Sequence, residues 1–187
     1  MANLARIVAS VALPVSVDLE SGYGDAPNAT YDAASAAIAT GAIGFNLEDQ
    51  IVGGTGLCSI ADQALRLNAA RQAADAAGLP AFINARTDLF LKAPAATHDA
   101  ALVEAALARA HAYAAAGASG FFAPGLVDES LIATLCKASP LPINVMVATP
   151  SSATQRLSDL GVARISYGPN PYRQAMKFLE DAARQAF

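Results

Sequence analysis

Acidic residues and one arginine follow three apolar runs of the sequence, each at the point where the run ends. The strings are VDLESGYG, NLEDQ and NARTD, which begin at residues 17, 46 and 84. Asp18 and Glu20 are two residues apart, so they share one face if the strand continues that far, and Glu48 could join them from a neighbouring strand. Carboxylates without histidine or cysteine are typical of Mg²⁺ or Mn²⁺ sites, in which the cation keeps several waters.

Arg86 supplies a positive charge beside these acids. Its planar guanidinium can hold a carboxylate or a phosphonate through parallel hydrogen bonds. A divalent cation next to an arginine suits a small oxoacid anion, because the metal polarises a carbonyl or enolate oxygen while the arginine holds the other end. We therefore predict Asp18, Glu20 and Glu48 as metal ligands, and a small carboxylate or phosphonate as the substrate.

Each of these residues also has a structural interpretation. A single acid after a strand is most often a helix cap or a solvated loop residue, and Arg86 with Asp88 could form a structural ion pair. Charged residues make up only 15% of the chain, however. Acids at three successive strand ends therefore favour a site for the set as a whole.

A regular alternation of elements would position these residues. Short runs rich in valine, isoleucine and phenylalanine are followed by longer alanine-rich stretches with helical periodicity. The predicted strands are residues 14–18, 43–48, 81–86, 120–124, 143–147 and 164–167. The predicted helices are residues 1–12, 29–40, 60–77, 100–116, 128–137, 151–160 and 171–186. Asp128 and Ser151 could cap helix starts, and glycines at helix ends favour left-handed termini: Gly41, Gly78, Gly117 and Gly161.

Strands that are apolar on both faces and separated by helices predict a parallel sheet covered by helices. About six βα units fit this α/β chain, whereas a closed (β/α)8 barrel has eight units and roughly 250 residues. An open doubly wound sheet is the alternative of this size. Polar residues after successive strands, without a G-x-G-x-x-G turn after the first, favour an incomplete barrel of the TIM lineage. No linker is evident, so we expect one partial barrel domain over residues 1–187.

Composition excludes several classes of partner. The net charge is -4 and the sequence has no basic patch, so we expect no nucleic acid as a partner. No apolar run approaches the roughly 18 residues of a membrane span, and residues 1–13 lack a signal-peptide pattern. Cys58 and Cys136 lie far apart without a metal-binding motif, which argues against a zinc site or a disulfide scaffold. A cytoplasmic protein is the expectation.

The strings SVDLESGYG, GFNLEDQ and INARTD, followed by FFAPGL, PINVMV and RISYGPNPYR, resemble the isocitrate lyase/phosphoenolpyruvate mutase superfamily, in its phosphonomutase-like branch. The resemblance implies a (β/α)8 barrel that binds Mg²⁺ and forms or cleaves C–C or P–C bonds of small α-oxo or enol carboxylates. It also implies homo-oligomers that often exchange their last helix.

The resemblance further implies a role for individual residues. Asp18 matches the directly bound metal ligand, and Glu20 and Glu48 match acids that reach the metal largely through water. Arg86 matches the arginine that contacts the substrate, so that Arg86 and Glu48 are the expected catalytic residues. Asn144 falls near a family asparagine and is, with Arg86, the expected substrate-binding residue.

The sequence also departs from the family pattern. Family members normally carry two further βα units before the residue matching Met1, with substrate-binding amides and another aspartate. The lyase motif K-[KR]-C-[GS]-H is replaced by GGTGLCS at residues 53–59, and APG at residues 123–125 replaces a lyase glutamate. An isocitrate lyase is therefore not expected. The glycine-rich residues 51–58 resemble the family's gating loop, with an ordinary loop as the alternative.

An incomplete barrel leaves its first and last strands without a neighbour, and exposed strand edges favour association. The sheet could remain open or pair with another subunit, and we expect a homo-oligomer. The leading hypothesis is a Mg²⁺-dependent lyase, mutase or hydrolase. The alternative is a catalytically inactive, truncated barrel that retains a metal or anion site.

Overall fold

The computed structural model describes residues 1–51, 53–147 and 153–186. The strands are β1 Ser16–Asp18, β2 Gly44–Glu48, β3 Phe82–Arg86, β4 Gly120–Phe122, β5 Ile143–Met146 and β6 Arg164–Ser166. The helices are α1 Ala2–Ser10, α2 Pro27–Ile38, α3 Ile60–Ala76, α4 Leu89–Lys92, α5 Ala100–Ala115, α6 Glu129–Ala138, α7 Ala153–Asp159 and α8 Asn170–Ala186. A 3₁₀ turn, Ala95–Thr97, lies between α4 and α5.

The six strands form one parallel sheet in which each strand pairs with the next along the chain, from β1 to β6. This is the strand order of a (β/α) barrel, whereas a doubly wound sheet reverses its order at a switch point. The sheet curls into part of a barrel. Among the described residues, β1 and β6 each pair with a strand on one side. The prediction of an incomplete barrel with six βα units is therefore confirmed.

Most of the helix starts and ends predicted from single residues are found in the structure. The side chain of Asp128 accepts hydrogen bonds from the backbone of Ser130 and Leu131 and so caps α6. The predicted helix-ending glycines all have positive φ, at Gly41, Gly78, Gly117 and Gly161. Ser151, the other predicted cap, lies outside the described residues. Helix α4 is not predictable from the sequence, because four residues are too few to show a helical period.

The two faces of the sheet have different roles. On the outer face, apolar strand residues such as Phe45, Leu47 and Ile83 are fully buried beneath the helices. Buried alanines such as Ala34 and Ala70 carry no bulk, so α2 and α3 pack closely over this face. Strand side chains alternate, and the opposite, concave face therefore carries the polar residues. They are in direct register as Asp18 with Asn46, Asn46 with Asn84, and Glu48 with Arg86.

The outer surface includes one helix that buries nothing in this core. None of the residues of α8 is buried, although the helix carries large apolar side chains. The exposed ones are Tyr172, Met176, Phe178 and Leu179. Among the helices that the structure describes, none is both long and apolar enough to cross a membrane.

Candidate functional site

A cavity of about 460 Å³ opens at the carboxyl ends of the strands. This is the end of a parallel barrel at which ligands bind. Asp18, Asn46 and Arg86 contribute polar and charged groups to its lining. Leu91 and Phe122 are among the apolar residues of the same lining. A small anion with a carbon skeleton would therefore find both charged groups and apolar surface in this cavity.

The Arg86 guanidinium is the centre of the polar part of the lining. Its Nε and Nη2 donate hydrogen bonds to the two carboxylate oxygens of Asp88, at 2.7 and 3.2 Å. Its Nη1 lies 2.9 Å from Glu48 Oε2 and 3.6 Å from Asp18 Oδ2. Burial alone would lower the pKa of Arg86, but the hydrogen bond and charge of Asp88, with Glu48 and Asp18, raise it above its ordinary value. The guanidinium therefore remains charged.

Glu48 is buried beside this arginine. Burial raises the pKa of Glu48 to about 7, against the lowering effect of Arg86, and the charges of Asp88, Asp18 and Glu20 raise it further. Burial is the largest cause, and the nearby carboxylates add to it because they outnumber the one guanidinium that they surround. A carboxyl group whose pKa is raised in this way is typical of functional sites.

Asp18 and Glu20 do not share a strand face. Strand β1 ends at Asp18, and Glu20 adopts a left-handed backbone with a φ of 49°. The Asp18 carboxylate accepts a hydrogen bond from the Glu20 amide, two residues further along the chain, at 2.9 Å. The Glu20 carbonyl accepts a hydrogen bond from the Glu48 amide at 2.8 Å. The interpretation from strand alternation is therefore wrong for this pair. The backbone of Glu20 supports Glu48, and its side chain is exposed.

The carboxylates around Arg86 could supply two ligands to a hard divalent cation, but not a complete set. Among the described residues, no group of three or more His, Cys, Asp or Glu side chains is arranged to hold a metal ion. Asp18 and Glu48 nevertheless approach the same nitrogen of Arg86, Nη1, while Asp88 binds Nε and Nη2. Mg²⁺ keeps several waters and needs only one or two carboxylates. The excess of negative charge therefore fits a cation held by Asp18 and Glu48, rather than a cage of three carboxylates.

Asn144 lies below the cavity rather than on its wall. It is almost fully buried on β5, and its Nδ2 donates to Ser166 Oγ at 3.2 Å. Ser166 does line the cavity, as does Phe122, the β4 neighbour of Asn144. The Oδ1 atom of Asn144 is buried without a hydrogen-bond partner among the described residues. A ligand or water that reaches this level would find a free acceptor there.

Asp49 forms a buried network that the sequence analysis did not find. Its Oδ1 accepts a hydrogen bond from the Asp88 amide at 3.0 Å, and its Oδ2 accepts from Arg109 Nη1 at 3.0 Å and from the Tyr113 hydroxyl at 2.8 Å. The Asp49 amide donates to the Arg86 carbonyl at 3.1 Å. Asp49 thus holds the backbone of Arg86 and of Asp88 in place through these two hydrogen bonds. The available signal was Arg109 followed four residues later by Tyr113, on an alanine-rich helix.

The same network holds the far end of the glycine-rich loop. The Cys58 amide donates to the Asp49 carbonyl at 2.8 Å, and Arg109 Nη1 donates to the Cys58 carbonyl at 3.1 Å. A bridge between Gln50 and Leu57 brings the two ends of the loop together. Both ends of the loop are therefore anchored beside the site.

The sequence profile of the phosphoenolpyruvate phosphomutase family matches residues 1–187. The chain belongs to this family. An uncharacterised protein of Mycobacterium tuberculosis is 34% identical over 182 residues, which are 97% of this chain and 64% of that protein. The 2-methylisocitrate lyase of Escherichia coli K12 is 28% identical over 184 residues, with 92% of this chain and 59% of the lyase covered. The chain thus spans less than two thirds of the length of these curated relatives.

Solved structures of the superfamily share the fold. A candidate phosphonomutase from Burkholderia cenocepacia J2315 is 53% identical with a TM-score of 0.94, over 97% of this chain and 75% of that one. A 2,3-dimethylmalate lyase is 25% identical with a TM-score of 0.82, over 98% and 64%. A phosphonopyruvate hydrolase, solved with oxalate and Mg²⁺, is 19% identical with a TM-score of 0.80, over 97% and 63%. Superfamily membership, expected from the sequence strings, is confirmed.

Proposed function

We propose that this chain binds a small α-oxo or enol carboxylate, or the related phosphonate, beside a divalent cation, and acts as a lyase, mutase or hydrolase on its C–C or P–C bond. The observation that carries the proposal is the position of Arg86, which contacts three carboxylates at the rim of a partly apolar cavity. Membership of a family of mutases, lyases and hydrolases supports the reaction class.

Arg86 and the apolar residues of the lining would hold the substrate. The edge of the guanidinium that Asp88 does not use carries N–H groups of Nη1 and Nη2, which would donate to an anionic headgroup. Leu91, Phe122 and Met146 would pack against the carbon skeleton and exclude water from it. Asn144 is proposed to contact the substrate at the floor of the cavity, through its free Oδ1 or through Ser166.

Asp18 and Glu48 would hold Mg²⁺ or Mn²⁺, with Glu20 contributing through water. Such a cation supplies Lewis-acid stabilisation of negative charge on a substrate oxygen when it is bound. Residues of the chain orient the Arg86 guanidinium. Asp88 accepts hydrogen bonds from two of its nitrogens, and Asp49 in turn accepts one from the backbone amide of Asp88. Arg86 and Glu48 are the proposed catalytic residues.

Thermal unfolding with Mg²⁺ and oxalate, a mimic of the pyruvate enolate, tests the binding half of this proposal. A ligand at a hundredfold its Kd stabilises by about 2.7 kcal/mol, which raises the Tm of a chain of this size by roughly 5–10 °C. We expect this shift in the wild type and in the control Asp32→Asn, since Asp32 is exposed on α2. We expect none in Asp18→Ala. An equal shift in Asp18→Ala would contradict the proposed site.

A second candidate is a barrel that retains this site without turnover. It is favoured by the contacts that already join Arg86 to Asp18, Glu48 and Asp88, because they use most of the donors that a substrate would need. Pyruvate release from oxaloacetate, malate-type acids and a phosphonate analogue separates the two. Turnover that Arg86→Ala abolishes supports the enzyme, whereas an oxalate-dependent Tm shift without turnover supports the inactive barrel.

We also propose that the chain forms a homo-oligomer through α8. Four large apolar side chains are exposed on this helix, and a second copy would cover them: Tyr172, Met176, Phe178 and Leu179. Light scattering tests the proposal. Met176→Glu should shift the mass toward the monomer, while Arg184→Glu on the same helix should not, and a monomeric wild type would contradict it.

A further inference from the structure

Arg66 is a buried cation without a counter-charge among the residues that the structure describes. It lies on the inner side of α3 with 3% of its surface exposed. Its Nη1 donates to Gln63 Oε1 at 2.9 Å and lies 3.2 Å from Cys58 Sγ, but its Nε and Nη2 have no partner in the described protein. No carboxylate of the described residues forms an ion pair with it. A guanidinium buried in this way is costly unless an acceptor reaches it.

Gln63 adds a third unused donor at the same place. This side chain is fully buried, and its Nε2 also has no partner in the part of the chain that the structure describes. Its Oε1 is already occupied by Arg66. Three N–H-bearing atoms of neighbouring side chains are thus left without an acceptor, a rare arrangement in folded proteins. The arrangement suits a group that brings oxygen atoms and negative charge.

Cys58 is the group on which such oxygen atoms could be placed. Its sulfur accepts a hydrogen bond from Arg66, and the residue as a whole is half-buried rather than enclosed. Its backbone is held on both sides, by Asp49 and by Arg109. Cys58 does not line the cavity that contains Arg86, so this position is separate from the substrate site.

We propose that Cys58 is an oxidative modification site, whose sulfenate is held by the free donors of Arg66 and Gln63. A hydroperoxide is the oxidant. The sulfur attacks one peroxide oxygen, so that an S–O bond forms as the O–O bond breaks, and the sulfur gives an electron pair to the peroxide. The second oxygen leaves as water or an alcohol after taking the thiol proton. The guanidinium accelerates the step because it stabilises the negative charge that develops next to it.

Cys136 provides an internal reference for the experiment. It is the other cysteine of the chain, also half-buried. Burial raises the pKa of the Cys136 thiol, and its Cβ is packed against Gly161. Both cysteines can be followed in the same molecule by mass spectrometry of peptides after treatment with hydrogen peroxide and dimedone, which traps the sulfenate.

In the wild type we expect Cys58 to form the dimedone adduct at least about tenfold faster than Cys136. Arg66→Gln should remove this difference by slowing Cys58 alone, Arg66→Lys should keep part of it, and Arg6→Gln, which removes an exposed guanidinium, should keep all of it. If Arg66→Gln unfolds, the rates of adduct formation at both cysteines should rise together. Arg66→Lys then decides: a folded Arg66→Lys that keeps part of the preference for Cys58 supports the proposal, and one that keeps none overturns it. A wild-type Cys58 no faster than Cys136, or a fast Cys58 in a folded Arg66→Gln, overturns the proposal. Neither result depends on Mg²⁺ or substrate.

Discussion

The carboxylate of Glu48 and the guanidinium of Arg86 lie 2.9 Å apart on directly paired residues of neighbouring strands. The pairing of β2 with β3 sets this distance, because in-register residues of adjacent parallel strands project to the same face. The interaction is therefore built into the sheet, and does not depend on the conformation of a loop. Asp88 then fixes the guanidinium from the other side.

Replacement of Arg86 by lysine tests whether the shape of this cation matters. Lysine keeps the charge but cannot bind Asp88 and an anion through separate nitrogens in one plane. Loss of a hydrogen bond to a charged group costs roughly 1.5–3 kcal/mol, so we expect oxalate, titrated calorimetrically with Mg²⁺ present, to bind at least about tenfold more weakly to Arg86→Lys. Arg6→Lys on α1 is the control. Unchanged affinity in Arg86→Lys would show that any cation suffices.

The Asp49–Arg109 pair should contribute strongly to stability. In Arg109→Met the fully buried Asp49 carboxylate loses its counter-charge. Removal of one partner of a buried ion pair typically lowers the free energy of unfolding by about 3–5 kcal/mol. The matched control is Arg156→Met, which breaks an exposed pair with Glu129 and should cost about 1 kcal/mol or less. Urea unfolding measures both. Similar losses in the two variants would contradict the assignment of Asp49 as the buried anchor of the site.

Gly44 is required by the close approach of β2 and β3. A Cβ at this position would lie 2.5 Å from the Phe82 carbonyl oxygen, a backbone atom that cannot move aside. Overpacking of this kind typically costs about 1–3 kcal/mol, so Gly44→Ala should lower the free energy of unfolding by that amount. Gly56→Ala is the control, since its nearest neighbour is 3.9 Å away. Equal stability of both variants would show that the strands can separate at no cost.

The sheet was predictable because its signals are strong and local. Each strand is a short run rich in apolar residues, and the long helices span several helical periods, whereas α4 has four residues and shows no pattern. The meeting of Asp18, Glu48 and Arg86 was also predictable, since carboxyl ends of parallel strands share one edge of the sheet.

The remaining features depend on packing that the sequence does not display. Alternation along β2 directs Glu48 and Asp49 to opposite faces, so that of the two only the Glu48 side chain pairs with Arg86. The buried partner of Asp49 comes from 60 residues further along the chain. Glu20 departs from the predicted face because the chain turns directly after Asp18. The floor position of Asn144 depends on Ser166, a contact between β5 and β6.

Titration with Mn²⁺ followed by electron paramagnetic resonance tests most directly whether the acids around Arg86 hold a cation. We predict that the wild type and Asp32→Asn bind one Mn²⁺ per chain, that Mg²⁺ displaces it, and that Asp18→Asn binds at least about tenfold more weakly. If Asp18→Asn binds Mn²⁺ as tightly as Asp32→Asn, or the wild type binds none, the carboxylates at this cavity do not form a metal site.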